Sequence, residues 1–251
     1  MASRRGQMLD GVLLLDKPEG LSSNHALQRA KRALDARKAG HTGTLDPFAT
    51  GLLVCCLGRA TKIASSMLEA DKAYVATLQL GQETDSGDLT GNIVFQAPPE
   101  FDGVSREHLE DVLAAFRGEI EQIPPMYSAL KRDGKPLYEY ARQGIELERP
   151  ARRVTIRSLE LLEFDGRRAV IDVHCSKGTY IRTLAEDIGR QLGCGAHLTA
   201  LRRTRVGPFD LEDAIGLEAL QAMPSPQTTL LALSALPAGL LPATFNLKDE
   251  L

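Results

Sequence analysis

The segment Gly40-His41-Thr42-Gly43-Thr44-Leu45-Asp46-Pro47-Phe48-Ala49-Thr50-Gly51 constrains this chain most, because a loop punctuated by glycine and proline runs directly into the apolar stretch Leu52 to Leu57. Pro47 restricts the preceding residue to extended backbone, so Asp46 cannot lie inside a helix. The glycines permit turns and close backbone approach that other residues resist. A continuous apolar run bounded by such a loop predicts a buried strand. An Asp-Pro pair ordinarily just initiates a turn. Here His41, Thr42, Thr44 and Thr50 crowd the same short segment with groups able to meet a polar ligand, the layout of an active-site loop feeding a core strand.

Periodicity places the other elements. Val12 to Leu15 predicts a short buried strand ending at Asp16-Lys17-Pro18, and Ser22 or Ser23 can cap a helix from about Asn24 to Leu34. Arg59 to Leu68 is predicted as a helix, and Tyr74 to Leu80 alternates as a strand. Leu109, Val112, Leu113 and Phe116 trace the core stripe of a helix that starts at Ser105 and is ended by Gly118. Arg153 to Phe164 and Arg167 to Cys175 flank Asp165-Gly166, a hairpin signal. Thr179 to Leu192 then predicts a helix and Leu198 to Val206 a last strand. Strands in hairpins without regular βαβ alternation predict an α+β fold, with a mixed, largely antiparallel central sheet and flanking helices.

Composition narrows the class. With 43% hydrophobic and 25% charged residues the chain reads as an ordinary soluble globular protein, and no apolar run approaches membrane-spanning length. A net charge of −3 does not by itself suggest a nucleic-acid partner. The cations are nevertheless grouped, as Lys31, Arg32, Arg37 and Lys38, as Lys131, Arg132 and Lys135, along the 152–168 hairpin, and as Arg202, Arg203 and Arg205. Cys55, Cys56, Cys175 and Cys194 lack secreted disulfide spacing, which fits a reduced cytoplasmic chain. His174, Cys175, Cys194 and His197 lack the close Cys pairs of structural zinc modules, so no metal is expected. The closing letters Lys248-Asp249-Glu250-Leu251 spell an ER-retention signal, here taken as coincidence because the N-terminal residues carry no apolar signal region.

These residues carry a family resemblance. The Ala39 to Leu53 segment resembles the catalytic motif of the TruB pseudouridine synthases. Asp16-Lys17-Pro18-Glu19-Gly20, Gly58-Arg59-Ala60-Thr61-Lys62, Lys72-Ala73-Tyr74, Pro125 to Lys131, Ser176 to Arg182 and Ala196 to Arg203 resemble further blocks in family order. The resemblance implies a pseudouridine synthase fold, with a catalytic domain over 1–222 carrying an RNA-binding insertion around 120–150. It leaves 223–251 as a tail or the truncated start of a PUA-type domain.

It also implies a chemistry: isomerisation of uridine to pseudouridine at position 55 in the T-loop of tRNA, needing no cofactor. The glycosidic C1'–N1 bond breaks, the uracil rotates and C5 is joined to C1'. By resemblance Asp46 is the nucleophile, attacking C1' or C6 or assisting glycal formation, with Tyr74 and Arg182 as the other catalytic residues. An Asp nucleophile must be ionised although burial beside a base opposes this, so a cation is required. Arg182 is the family's candidate, and its position in the first turn of a predicted helix opposes the macrodipole. Tyr180 and Leu201 resemble residues lining the base pocket, and His41 one that enters the RNA stack as the uridine leaves. Lys17, Arg59, Lys62, Arg202 and Arg203 are candidates for RNA-backbone contacts. The implied partner is the T-arm of tRNA, met by a monomer. Two other functions fit less well: an RNA-binding or tRNA-folding module without essential catalysis, and a hydrolase pairing Asp46 with a second acid such as Asp85.

Overall fold

The computed structural model describes residues 6–237 and 239–240, so the Lys248 to Leu251 letters lie outside the described residues. In chain order the first elements are β1 (Gly11–Lys17), α1 (Ser23–Ala33), β2 (Ala39–His41), β3 (Thr50–Leu57), a 3₁₀ segment Gly58–Ile63, α2 (Ala64–Glu69) and β4 (Lys72–Leu80). Then come β5 (Gln82–Thr84), β6 (Ile93–Gln96), α3 (Arg106–Ala115), β7 (Gly118–Gln122), β8 (Lys131–Arg132), β9 (Lys135–Pro136) and α4 (Leu137–Ala141). The chain continues through β10 (Arg152–Phe164), β11 (Arg168–Cys175), α5 (Ile181–Gln191), β12 (Ala196–Val206), β13 (Phe209–Asp210), β14 (Ile215–Gly216) and α6 (Leu217–Ala222). The strands pair mainly antiparallel with parallel exceptions, which gives the expected α+β class.

Contacts divide the chain into two compact units, one of residues 1–72 and 202–251, the other of 73–201. In the first unit β1 and β3 run antiparallel from Gly11 opposite Leu57 to Lys17 opposite Gly51. Side chains alternate across a sheet, and here both sides are covered. Val12, Leu14, Leu52, Val54 and Cys56 join Ile63, Met67, Val206, Phe209, Leu233 and Leu236 on one face. Leu13, Leu15, Leu53, Cys55 and Leu57 meet Ala26, Leu27, Ala30 and Leu34 of α1 and Leu217 and Leu220 of α6 on the other. Burial on two faces is why β3 is apolar without alternation. Residues beyond Ala222 belong to this packing: Leu231 exchanges backbone hydrogen bonds with Val12, at 3.0 and 2.8 Å.

In the second unit β7, β10 and β11 form an antiparallel succession, followed in the sheet by β4 and the first residues of β12. The β10–β11 turn closes on Gly166 and Arg167, one residue later than expected, with Asp165 Oδ1 accepting from the Arg167 and Arg168 N–H groups at 3.0 and 2.7 Å. The helix starting at Ser105 forms as expected, its hydroxyl capping His108 N at 3.1 Å. Arg59 to Leu68, expected as one helix, divides into 3₁₀ and α segments. Gly58 enters it with φ +52°, and the Thr61 hydroxyl donates to Gly58 O at 2.8 Å, favouring the tighter first turn.

One glycine fixes the geometry near the Asp46 loop. Gly51 has φ +100°, and a Cβ there would lie 2.3 Å from Arg203 O on the paired strand β12. Gly51→Ala therefore combines backbone strain with a backbone clash, and is expected to cost at least about 2 kcal/mol of stability, read from urea unfolding. An unchanged midpoint would contradict that close approach.

Candidate active site

Asp46 opens a turn in which Ala49 N donates to its carbonyl at 3.1 Å, with Pro47 next in the turn. The neighbouring backbone is held at several points. Ser22 caps α1 by accepting from His25 N at 3.2 Å, leaving Ser23 for another task. The buried Ser23 hydroxyl accepts from Leu45 N at 2.7 Å and donates to Leu45 O at 3.0 Å, fastening α1 to the residue before Asp46. Gly20 N donates to Pro47 O at 2.8 Å on the other side.

Lys17 and Arg203, expected among the RNA-backbone contacts, are buried instead, at 0% and 2% exposure. Lys17 Nζ donates to the carbonyls of Pro18 (2.8 Å), Leu21 (2.7 Å) and Pro47 (3.4 Å). Arg203 donates from Nε to Leu52 O (2.8 Å), from Nη1 to Thr44 O (3.4 Å) and from Nη2 to Gly43 O (3.3 Å). The two cations thus grip the loop on either side of Asp46. Arg203 also completes the sheet. One edge of β3 pairs with β12 at Thr50 and Gly51 and with β2 at Cys55 to Leu57. Between those stretches the Leu52 and Val54 carbonyls accept from Arg203 Nε and Thr42 N. Burial pushes the Lys17 ammonium down to about 8, with Arg203 adding to the fall and the charge of Asp46 opposing it.

His41 ends β2 and is half-buried, and burial, with the Arg203 charge behind it, lowers its pKa and favours the neutral ring. Its Nδ1 and the Thr42 hydroxyl are buried and unpaired among the described residues. Such groups in a well-packed site call for an explanation, and a bound ligand is one. Arg202 forms a two-pronged ion pair with Asp16, at 3.2 and 2.8 Å, and reaches Thr50 Oγ1 at 3.3 Å. Arg59 and Lys62 lie on the 3₁₀ segment after β3, where Arg59 N donates to Asp10 Oδ1 at 2.7 Å.

Tyr74, Tyr180, Arg182 and Leu201 belong to the second unit. Tyr74 is buried on β4 and Leu201 on β12. Tyr180 precedes α5, which starts at Ile181, later than expected, because the Thr179 hydroxyl donates to Ser176 O at 2.9 Å and caps nothing. The Tyr180 backbone is held by the buried Gln122, whose Oε1 accepts from Tyr180 N at 3.0 Å and whose Nε2 donates to Tyr180 O at 3.3 Å. Nothing in the sequence marks this Gln, since its amide imitates a peptide group far away in the chain.

Arg182 lies in the first turn of α5 and is 5% exposed. Its guanidinium donates to Ser86 O (2.8 Å) and Tyr127 O (2.6 Å), and Nε stands 3.8 Å from Asp88 Oδ2. These partners offset the unfavourable helix-end position noted in the sequence. Asp85, the possible second acid of a hydrolase, is engaged by the backbone and side-chain N–H groups of Asn92, at 2.9 and 3.1 Å. His197 Nδ1 is 3.1 Å from Gln82 O, and no three His, Cys, Asp or Glu among the described residues come together to hold a metal ion.

Glu186, one turn beyond Arg182, packs on Gly87, where a Cβ would meet its Oε1 at 2.4 Å. Burial pushes its carboxyl from 4.5 up to about 7, against the pull of Arg182 and Arg190. The folded protein therefore holds a proton in this window that the unfolded chain releases, and stability falls as pH rises through it. Glu186→Gln removes the titration. Its stability relative to the parent is expected to improve by about 1–3 kcal/mol between pH 4 and pH 8, measured by urea unfolding at both values. A pH-independent difference would contradict the shift.

The chain matches the family model described as TruB family pseudouridylate synthase, N-terminal domain, over residues 31–181, and that of the tRNA pseudouridylate synthase B C-terminal domain over 182–246. It is 75% identical over 244 residues to a tRNA pseudouridine synthase B from Bordetella avium, covering 97% of this chain and all of that protein. It is 60% identical to the protein of that name from Chromobacterium violaceum, covering 90% and 73% of the two chains. Among solved structures, a chain of a Cbf5-Nop10-Gar1 complex superposes with TM-score 0.70 at 33% identity over 90% of this chain, which spans 60% of that one. A chain of an H/ACA RNP bound to a substrate RNA containing 2'-deoxyuridine gives TM-score 0.66 at 30% identity, with 90% and 59% coverage. The protein belongs to the TruB family of pseudouridylate synthases.

Proposed function

We propose that this pseudouridine synthase isomerises uridine 55 in the T-loop of tRNA, with Asp46 as the nucleophile. The observation that carries the reading is the loop itself: a single carboxylate between backbone segments gripped by two buried cations, in a chain 75% identical along its length to tRNA pseudouridine synthase B. The reaction moves the uracil from an N1 to a C5 linkage, the C5 proton leaving and N1 gaining one, so no net oxidation occurs and no cofactor is consumed. The carboxylate either takes C1' as the base departs, adds to C6, or assists a glycal intermediate. Fixed geometry favours any of these, because a nucleophile already in place loses little freedom on reaching the transition state.

The target nucleotide must leave its stack to reach a loop carboxylate, which a structured RNA loop allows more cheaply than a continuous helix. By resemblance His41 fills the space left in the stack, Tyr180 and Leu201 line the base, Tyr74 stacks on uracil and receives the C5 proton, and Arg182 compensates negative charge. Residues 1–222 are assigned to catalysis, with 120–150 as an RNA-contacting insertion. That segment presents Lys135 Nζ 4.6 Å from the Tyr140 ring centre and Arg142 5.3 Å from Tyr138, pairs suited to phosphate and base contact. We take the protein to act as a cytoplasmic monomer. Among the described residues no helix is long and apolar enough to cross a membrane.

Asp46→Asn keeps the side chain's shape and removes its charge. Tritium release from C5-labelled tRNA is expected to fall at least about a thousandfold, with filter-binding affinity within a few fold of the parent. Comparable turnover by the Asn protein would end the assignment. If the T-arm is the recognised element, a T-arm stem-loop should show kcat/KM close to that of whole tRNA, and binding to either should weaken steeply with salt. A strong preference for whole tRNA would place essential recognition outside the T-arm.

A further inference from the structure

The buried face of α1 consists of Ser23, Ala26, Leu27 and Ala30, so the helix is anchored by small and apolar side chains. Another line along it, His25, Arg29 and Arg32, follows i, i+4, i+7 spacing and places the three residues on one side. They line an open cavity of about 330 Å³ together with Gln221 of α6. No acidic residue occurs anywhere between Ser23 and Ala33, although the whole chain carries net charge −3.

Both guanidinium groups are oriented by neutral partners. Arg29 Nη2 donates to Gln221 Oε1 at 3.0 Å, and Arg32 Nε donates to Gln28 O at 3.2 Å. Among the described residues none of the three forms an ion pair with a carboxylate, whereas Arg106, Arg168, Arg190 and Arg205 on the surface each do. A solvated charged helix face usually interleaves both signs, as i,i+4 pairs stabilise it. This face carries one sign only, in fixed orientation, around a concavity.

Its position gives the partner. The first residue of α1, Ser23, is bonded in both directions to Leu45, next to Asp46. At about 1.5 Å rise per residue the line from Ser23 to Arg32 covers roughly 14 Å. Cations spread along such a distance from a nucleophile's loop suit a phosphodiester chain better than one small anion, and Arg presents a planar fork to phosphate oxygens. We infer that His25, Arg29 and Arg32, with Gln221, form a phosphate-binding track that guides the backbone of the substrate RNA away from the Asp46 loop. This rests on the reading of the substrate as tRNA and adds a binding surface to it.

The test is filter binding of unmodified tRNA to the full chain across a salt series, for the parent, R29Q/R32Q and R29K/R32K. Removing one neutralised phosphate flattens the slope of log K against log salt by about 0.7 to 0.9. R29Q/R32Q is expected to flatten it by about 1.5 and to weaken binding roughly tenfold at low salt, while R29K/R32K keeps the parent slope. Unchanged affinity and slope in R29Q/R32Q, with thermal melting showing it folded, would overturn the track. So would an equal flattening of the slope in R29K/R32K, which keeps both charges and would therefore trace the effect to packing. A parent protein that isomerises tRNA while R29Q/R32Q binds like it would reject the track alone; a parent inactive on every tRNA would reject the substrate and the track together.

Discussion

Two buried cations held by neutral carbonyls govern the conformation of the Asp46 loop. Lys17 closes β1 and Arg203 lies on β12, nearly two hundred residues apart in sequence, yet both direct their donors at backbone flanking Asp46. Taking an ammonium and a guanidinium out of water is costly, and is tolerated only where their N–H groups are satisfied. Each finds three carbonyls here. Removing either cation would leave those carbonyls without their charged donors, at about 1–3 kcal/mol for each one left buried and unpaired, which makes the loop's conformation expensive to abandon.

The same interaction ties the core to the loop. Arg203 supplies the donor that β3 lacks between its two pairing partners, so the most buried strand and the Asp46 segment share one side chain. Gly51 permits the approach, since a Cβ would strike the Arg203 backbone. Asp16 draws Arg202 from the adjacent position into a two-pronged pair, fixing β1 and β12 in the same register. The Asp16-Lys17-Pro18, Gly40 to Gly51 and Arg202-Arg203 blocks are separate in sequence because each supplies a different part of one assembly.

What the sequence made legible was local. Ser22 capping, the α3 stripe, the hairpin around Gly166 and the apolar strand after Gly51 all follow from rules spanning a few residues, and these elements form within one or two residues of expectation. The Arg59 to Leu68 segment departs because a glycine at positive φ and a threonine hydroxyl tighten its first turn. Lys17 and Arg203 were legible as charges and not as buried clamps, since their acceptors are backbone carbonyls, which every residue has, 151 positions away for Arg203 and Leu52. Gln122 escaped for the same reason. Charged side chains are usually exposed, so only coordinates reveal those that are not.

The choice of carbonyls as partners has a chemical consequence. A buried cation can be satisfied by a carboxylate or by several neutral dipoles, and only the second leaves its net charge in place. Among the described residues neither Lys17 nor Arg203 forms an ion pair, so their positive charge is not spent on a structural acid. On the loop they hold, the charge of Asp46 opposes the fall in the proton affinity of Lys17. A structural carboxylate beside these cations would have made an equally firm clamp and a poorer setting for the anionic nucleophile that we propose Asp46 to be. The same hydrogen bonds thus position the loop and keep two positive charges beside it, the preorganisation that the proposed role of Asp46 asks of a scaffold.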